Sequence, residues 1–482
     1  MKLGNKVLRD SLFTLGQTVA QLFRGLAIIP LITNLLGAGD YGIWTTVTAV
    51  IGLFQSTGGV HLHGALIRYS SGPETMKRVY TDILFLTLLL GSIVSGVVLF
   101  FGSIVDVDVL LESQDIDASV LVLVSAGIVI SDMIMQVNLN FPRALGDIRR
   151  YEILRTTRMI VEAAALFVVF VAGGGVISGL LALLAISTLG NLGLFLLIVR
   201  SYGLVRPSLS RFPQYLRYGA PMIPQELSKS ILSQVDRFLL LYFLSPTIAG
   251  IYSAAYGVSG ILKRFTSILN STLYPTVAGA WDSGKTAELK SLYAGIFKYI
   301  TILAVPALFG IALLSKPLLS LISTPQIANK GAFLIPILSS GFLVRAYQDS
   351  IEYILTASEQ TSKIGFAVVL AAAANFTLNI LLIPRYGLLG AAAATFVSEI
   401  LVTAVIYYFV GQEIHIPFPT QTLFAALGSA VVMSLVLYFL PTISNGIFEI
   451  IAYVIIGAVI YFAVMITLGE FSPHEIYSFV NS

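Results

Sequence analysis

Six cationic side chains interrupt the long apolar stretches of this sequence and are its clearest chemical signal. They are Arg24, Lys229, Arg237, Lys263, Arg264 and Arg345. One cation at the centre of a membrane helix costs about 2.5–3.5 kcal/mol. Six facing lipid would cost on the order of 15–20 kcal/mol, more than a typical folding free energy. They must therefore face a wet cavity or pair with anions. Phosphate is a suitable ligand, because the planar arginine fork binds two phosphate oxygens at once.

Internal ion pairs are the alternative to ligand binding for two of these cations. Arg345 has Asp349 one turn away and Glu352 two turns away on a predicted helix. Lys229 follows Glu226 by three residues, a spacing at which side chains meet on a helix. For both cations the sequence leaves pairing and substrate contact open.

Of the other four cations, Arg24, Lys263 and Arg264 are the best candidates for contact with a substrate phosphate. Arg237 lies near the outer end of its predicted helix and could instead reach water. Arg24, Lys263 and Arg264 have no acid three or four residues away. The neighbours Lys263 and Arg264 point about 100° apart on a helix, so only one is expected to face a cavity.

Carboxylates at membrane depth suggest coupling to an ion. They are Asp132, Glu162, Glu226, Asp236, Asp349, Glu352 and Glu399. Intramembrane carboxylates bind Na⁺ or carry protons, and Asp349 and Glu352 share a helix face. The same acids could simply neutralise the buried cations, so H⁺ coupling, Na⁺ coupling and no coupling all stay open. No metal or cofactor is expected, because cysteine is absent and His61 and His63 would not share a helix face.

Composition predicts an all-α integral membrane protein. The 482 residues are 56% hydrophobic and 11% charged, against about 25% charged in soluble chains. The net charge of +3 is too small to indicate nucleic-acid binding. Extended backbone cannot face lipid outside a closed barrel, so the apolar runs must be helices. About fourteen spans are predicted, at 11–36, 43–67, 80–102, 119–142, 151–172, 176–199, 214–243, 249–275, 292–314, 331–356, 362–384, 388–410, 420–440 and 447–468.

The positive charges predict the orientation of these spans. Nineteen of the 28 Lys and Arg residues, among them Arg158, fall on one side of this map, and the six buried cations lie within spans. Only Lys316, Lys330 and Arg385 fall on the other side. The positive-inside rule therefore places both termini in the cytoplasm of a multi-pass cell-membrane protein.

An internal repeat organises the predicted helices. A shift of 208 residues places Leu36–Gln55 on Leu244–Lys263 with five identities in twenty positions, including Gly42 with Gly250. Six spans separate equivalent points, so the repeats are parallel, as in two-lobed transporters with a substrate site between the lobes. The expected domains are an N-terminal lobe 1–200, a cytoplasmic linker 201–213, a C-terminal lobe 214–411, and two additional helices with a cytoplasmic tail 412–482.

Several short motifs resemble those of polysaccharide-export flippases. They are Leu35-Leu-Gly-Ala-Gly-Asp-Tyr-Gly-Ile-Trp44, Arg68-Tyr69, Tyr218-Gly-Ala-Pro-Met-Ile-Pro224, Asp236-Arg237-Phe238 and Ala249-Gly-Ile-Tyr252. The resemblance covers about residues 5–412 and points to the O-antigen, teichuronic acid and N-glycan flippase type. This type shares a superfamily with MATE exporters and the lipid II flippase. It implies a MATE-like two-lobed fold in which helices 1, 7 and 8, which carry five of the six buried cations, line the central cavity.

The resulting expectation is a flippase for a lipid-diphosphate-linked oligosaccharide, moved to the outer leaflet by alternating access. Its partners would be an undecaprenyl or dolichyl diphosphate oligosaccharide, membrane lipids and other glycan-assembly membrane proteins. A MATE-like ion-coupled exporter of organic solutes or drugs is the alternative, but it would need an anionic, aromatic cavity. An enzyme is not expected, because the longest outer loop, about 103–118, has no basic residue or histidine. Na⁺, H⁺ or the membrane potential could drive transport.

Overall fold

The computed structural model describes residues 28–70, 72–111, 116–270, 273–440 and 446–470. Within these ranges all regular secondary structure is helical. Seven of the described helices are long and apolar enough to cross a membrane. An eighth span results if Pro325–Gly331 and Leu334–Ala357, which meet at a bend of 62°, are counted together. The prediction of an all-helical, multi-pass membrane protein is confirmed, whereas the count of fourteen stays a prediction.

The chain divides into two compact units, Met1–Gly250 and Ile251–Ser482. These units, called unit 1 and unit 2 below, are defined by internal contacts. The lobes expected from the sequence are sets of equivalent helices, so their boundaries stay a prediction. In unit 1, helical residues 28–35 come first. The helices that follow are α1 Ala38–Gly58, α2 Leu62–Tyr69, α3 Pro73–Ile104, α4 Val107–Leu110, α5 Ala118–Ala144, α6 Ile148–Val171, α7 Val176–Tyr202, α8 Phe212–Gly219 and α9 Ile223–Phe243. Helix α10 Pro246–Asn270 begins in unit 1.

Unit 2 continues α10 and adds eight helices within the described ranges. They are α11 Leu273–Asp282, α12 Thr286–Leu313, α13 Ser315–Ile322, α14 Pro325–Gly331, α15 Leu334–Ala357, α16 Thr361–Glu413, α17 Thr420–Phe439 and α18 Ile447–Thr467. Helix α16 runs over two predicted spans but breaks at Gly387, whose φ of 54° is in a region that favours glycine. The predicted boundary between residues 384 and 388 is therefore present as a kink.

The predicted span 43–67 is not one helix. Helix α1 ends at Gly58, and Val60 and His61 then adopt left-handed φ values of 44° and 49° before α2 begins. Such a value is unfavourable for Val60, which is β-branched, so surrounding packing must hold it. A Cβ on Gly219 at the end of α8 would lie 1.8 Å from the carbonyl oxygen of Val60. The glycine thus permits a backbone contact that fixes this break, called the α1–α2 break below.

The predicted seventh span is also subdivided. Short helix α8 and a 3₁₀ turn, Ala220–Met222, precede α9, which begins beside Pro221 and Pro224. Both prolines lie in first turns, where a missing backbone N–H is tolerated. The predicted eighth span, 249–275, includes residues 271–272, which lie outside the described residues; α10 precedes them and α11 follows them.

Two equivalent glycines form a reciprocal contact in unit 1. A Cβ on Gly42 of α1 would lie 1.8 Å from the carbonyl oxygen of Pro246, at the start of α10. A Cβ on Gly250 would lie 2.1 Å from the carbonyl oxygen of Ala38. The shift of 208 residues that matches Gly42 with Gly250 also matches Ala38 with Pro246. Both glycines are therefore needed for the same close backbone approach.

A buried carboxylate fixes the segment that follows α7. Asp82 of α3 is fully buried, and its Oδ1 accepts a hydrogen bond of 2.8 Å from the backbone N–H of Ser208. Its Oδ2 accepts from the hydroxyl of Tyr215 at 3.2 Å and lies 3.1 Å from Nε of Arg211. Three partners of this kind satisfy a charge that would be costly to bury alone. They anchor the segment to α3, an arrangement called the Asp82 anchor below.

Candidate functional site

Arg345 on α15 is the centre of a charge network in unit 2. Its Nη1 lies 3.0 Å from Oε1 of Glu399, on the second half of α16. Its Nε lies 3.8 Å from Oδ1 of Asp349, one turn along α15. Only 2% of the Glu399 side chain is exposed, so this pair is largely removed from water. A buried pair of this kind requires both partners, because either alone would be an uncompensated charge.

Lys263 of α10 completes this network. It lies within electrostatic range of Arg345, Asp349 and Glu399, so two cations face two carboxylates. Both carboxylates already contact Arg345. Lys263 is partly buried and forms no ion pair within 4.0 Å among the described residues. Its role as a phosphate ligand stays a prediction.

Glu352 has a different environment from Asp349. Its Oε1 accepts a hydrogen bond of 2.6 Å from Nε2 of Gln348. The hydroxyl of Thr403 lies 3.4 Å from Oε1 of Gln348 and donates at 2.7 Å to the backbone carbonyl of Glu399. The joint role of Asp349 and Glu352 in coupling stays a prediction.

The remaining predicted site residues on α9 are in unit 1. Nζ of Lys229 lies 3.5 Å from Oε1 of Glu226, which is the ion pair expected from their spacing. These side chains are 44% and 34% exposed, so the pair is well solvated and contributes little to stability. Asp236 is buried at 1% exposure, and Arg237 beside it is partly buried.

Two further candidates complete the predicted set. Arg264 is partly buried and follows Lys263 on α10. Arg24 lies outside the described residues, so its role as a phosphate ligand stays a prediction. The structure therefore brings Lys263, Arg345 and Asp349 together, and separately pairs Lys229 with Glu226.

A second charge network, in unit 1, was missed by the sequence analysis. Arg158 of α6 donates through Nη2 to Asp132 of α5 and through Nε to Glu162, both at 2.6 Å. Asp132 also accepts hydrogen bonds from Ser187 of α7 and, at 2.8 Å, from Nε2 of Gln55. The charge map counted Arg158 among the cytoplasmic cations, although Glu162 four residues later was a signal for an ion pair.

The Arg158 network borders a cavity of about 320 Å³ in unit 1. Tyr151 and Arg155 lie on the same wall, with the guanidinium of Arg155 5.9 Å from the ring centre of Tyr151. In each network an arginine neutralises carboxylates at membrane depth. Within the described ranges, no three His, Asp or Glu side chains are grouped so that they could hold a metal ion.

The chain is similar over nearly its whole length to a protein of Haloferax volcanii named "Probable flippase AglR". The two are 24% identical over 479 residues, which are 96% of each chain. A second protein of the same organism, "Probable low-salt glycan biosynthesis flippase Agl15", is 23% identical over 54% of this chain and 56% of its own.

The fold is that of known membrane transporters. The lipid II flippase MurJ in an inward closed conformation matches with a TM-score of 0.74 and 15% identity, over 95% of this chain and 98% of its own. An inward-facing MATE multidrug transporter matches with a TM-score of 0.65 and 16% identity, over 82% and 94%. These relatives and neighbours are transport proteins rather than enzymes, in agreement with the expectation from the sequence. The family model described as "Polysaccharide biosynthesis protein" matches residues 31–329, and the chain belongs to that family.

Proposed function

We propose that this protein is a flippase that moves a polyprenyl-diphosphate-linked oligosaccharide from the cytoplasmic to the outer leaflet of the cell membrane. The observation that carries the proposal is the similarity to AglR over 96% of both chains. The side chains of unit 2 supply suitable chemistry, because Lys263 can receive the diphosphate beside a network whose carboxylates are already neutralised. Surface polysaccharide or glycoprotein assembly would use the exported glycan, with other glycan-assembly membrane proteins as partners.

Transport in this proposal occurs by alternating access in a chain of fourteen spans with both termini in the cytoplasm. Two parallel six-helix repeats form the lobes, and two C-terminal helices follow. The reciprocal contact of Gly42 and Gly250 supports the repeat. Gly42 approaches the carbonyl oxygen of Pro246, and Gly250 approaches that of Ala38, the residue that the repeat matches with Pro246.

The membrane potential supplies a driving force without a coupling ion. A diphosphate linked to lipid and sugar is anionic, and the cytoplasm is electrically negative. Each negative charge moved outward across the full membrane gains about 2.3 kcal/mol per 100 mV. The empty carrier, which is more positive, would be drawn back in the opposite direction. Exchange of H⁺ or Na⁺ through Asp349 and Glu352 would add to this force.

The test is transport by the purified protein in vesicles that contain fluorescent lipid-linked oligosaccharide. Accessibility of the label to a membrane-impermeant quencher reports movement between leaflets. We expect Lys263→Gln to slow transport by about 10–100-fold, because a hydrogen bond to a charged group contributes about 1.5–3 kcal/mol. Lys290→Gln is the matched control, since Lys290 is exposed on α12. A K⁺/valinomycin potential, negative on the side from which substrate leaves, should accelerate transport.

Three results would contradict the proposal. Uptake of organic cations without movement of the glycolipid would favour a MATE-like exporter. Equal transport by Lys263→Gln and Lys290→Gln would remove Lys263 from the substrate path. Transport that depends on a Na⁺ or pH gradient but not on an imposed potential would indicate that ion exchange at the buried carboxylates, and not the potential, drives transport.

A further inference from the structure

A second cavity in unit 1, of about 340 Å³, lies beside the α1–α2 break. It is called the polar cavity below. Ligand sites in proteins range from about 300 to 1,000 Å³, so the polar cavity has the size of a small-ligand site. Its polar lining includes His61, His63, Gln55, Gln136, Thr87 and Glu226. These side chains come from α1, α2, α3, α5 and α9, so several helices converge on one space.

Two of these groups are not satisfied by their neighbours. Thr87 is 1% exposed, and its hydroxyl is buried without a hydrogen-bond partner among the described residues. Such a group normally finds a partner, because leaving it unpaired costs about 1–3 kcal/mol. Gln136 is exposed and lines both the polar cavity and the cavity beside the Arg158 network, and its side-chain amide has no hydrogen bond within the described part of the chain. A hydroxyl-bearing ligand would satisfy both.

Backbone strain positions the histidines at this cavity. His61 is one of the two left-handed residues of the α1–α2 break, and His63 follows in the first turn of α2. The sequence predicted that a helix would direct these side chains to different faces. The break instead places their rings 4.4 Å apart, tilted by 50°. Strained backbone of this kind is found where it organises a functional site.

The chemistry of the lining favours a sugar over a phosphate. Glu226 is the one formally charged group among the six polar groups named above. Its ion pair with Lys229 leaves that pair without a net positive charge to hold a phosphate, and its carboxylate can accept hydrogen bonds from hydroxyls. The two glutamine amides offer both donors and acceptors, as a polyol requires. The imidazole rings supply flat faces that can pack on the C–H groups of a sugar ring.

We propose that the polar cavity binds a sugar residue of the lipid-linked glycan through its hydroxyl groups. This inference rests on the proposed function and assigns the glycan part of the substrate to unit 1. Gln136 and Thr87 contact the sugar. Gln55 is a positioning residue, because its Nε2 already donates to Asp132 of the Arg158 network and its carbonyl oxygen is thereby oriented.

The test compares two ligands with the full-length protein in lipid nanodiscs. One is the lipid-linked oligosaccharide extracted from the membranes of the organism that encodes the protein, and the other is polyprenyl diphosphate of the same chain length without sugar. Thr87→Val and Gln136→Leu should each weaken binding of the oligosaccharide form about 2–10-fold, as the loss of one neutral hydrogen bond does. Binding of the sugar-free form should not change. Gln412→Leu, an exposed residue of α16, is the matched control.

The outcomes separate this inference from the proposed function. Equal affinity of the unaltered protein for the two ligands would overturn the sugar site and leave the flippase proposal standing. The same conclusion follows if the variants weaken the binding of both ligands equally, or the binding of neither ligand. Thr87→Val nearly preserves side-chain volume, so it keeps the test valid if Gln136→Leu does not fold. Failure of the unaltered protein to bind either ligand would overturn both proposals.

Discussion

Separating Arg345 from Glu399 should destabilise unit 2 far more than removing both. Their atoms lie 3.0 Å apart, and the Glu399 side chain is 2% exposed, so Arg345→Met leaves a buried carboxylate with one oxygen already lacking a hydrogen-bond partner within the described ranges. Breaking a buried pair costs about 3–5 kcal/mol. We expect about 3 kcal/mol for each single variant, because Arg345 retains 18% exposure and some hydration.

The double variant Arg345→Met with Glu399→Met should lose much less than the sum of the single variants, because two apolar side chains replace the pair without leaving a charge. The coupling energy from this cycle should exceed about 3 kcal/mol, because the double variant is expected to lose less stability than either single variant. The free energy of unfolding in detergent, measured by titration with a denaturing detergent, provides the four values.

The ion pair of Lys229 with Glu226 is the internal control for this cycle. Its atoms are 3.5 Å apart, but the side chains are 44% and 34% exposed, so solvent screens their attraction. We expect a coupling of about 0.2–1 kcal/mol there. If the Arg345 cycle gives a coupling no larger than this control, the network does not act as a desolvated pair and the reasoning is refuted.

Three further variants probe unit 1. Gly42→Ala should lower the melting temperature, because the added methyl group forces α1 and α10 apart. Gly96→Ala is the control: it has open space around its Cβ and should be neutral or stabilising by up to about 1 kcal/mol. Equal melting temperatures for the two variants would contradict the close contact. Asp82→Asn should release the segment after α7 and accelerate trypsin cleavage at its arginines, and an unchanged digestion rate would argue against the Asp82 anchor. Arg158→Met should lower stability by about 3 kcal/mol, and a second change, Asp132→Asn, should recover part of that loss in the same unfolding titration.

Helix positions could be predicted from the sequence because apolar runs of bilayer length have few alternatives in a membrane. The predicted spans 176–199, 420–440 and 447–468 each correspond to one helix, Val176–Tyr202, Thr420–Phe439 and Ile447–Thr467. The boundary between the predicted spans 362–384 and 388–410 corresponds to the kink at Gly387, where a proline and a glycine interrupt the apolar run.

The α1–α2 break could not be predicted in the same way. Neither Val60 nor His61 favours left-handed backbone, and the contact that holds them comes from Gly219, far along the chain. A local sequence pattern therefore predicted a continuous helix, and tertiary packing interrupted it.

Ion-pair partners were predictable only within a helix. Asp349 and Glu226 were found because they lie one turn from their cations. Glu399 is 54 residues from Arg345 in the sequence, and only the packing of α15 on α16 brings them together. For the same reason the sequence showed no ion-pair partner for Lys263, although the fold places it near Arg345, Asp349 and Glu399.

The Asp82 anchor makes the peptide link before it dispensable for assembly. Residues 204–207 are mostly exposed and lie between α7 and the anchored segment. Beyond them, α8 packs on α2 and α3, and α9 packs on α1. A protein severed at 204–207 would still have its second fragment attached to the first by these helices and by the carboxylate of Asp82. The two fragments, expressed as separate genes, should therefore recognise each other and restore one folded protein without a covalent connection.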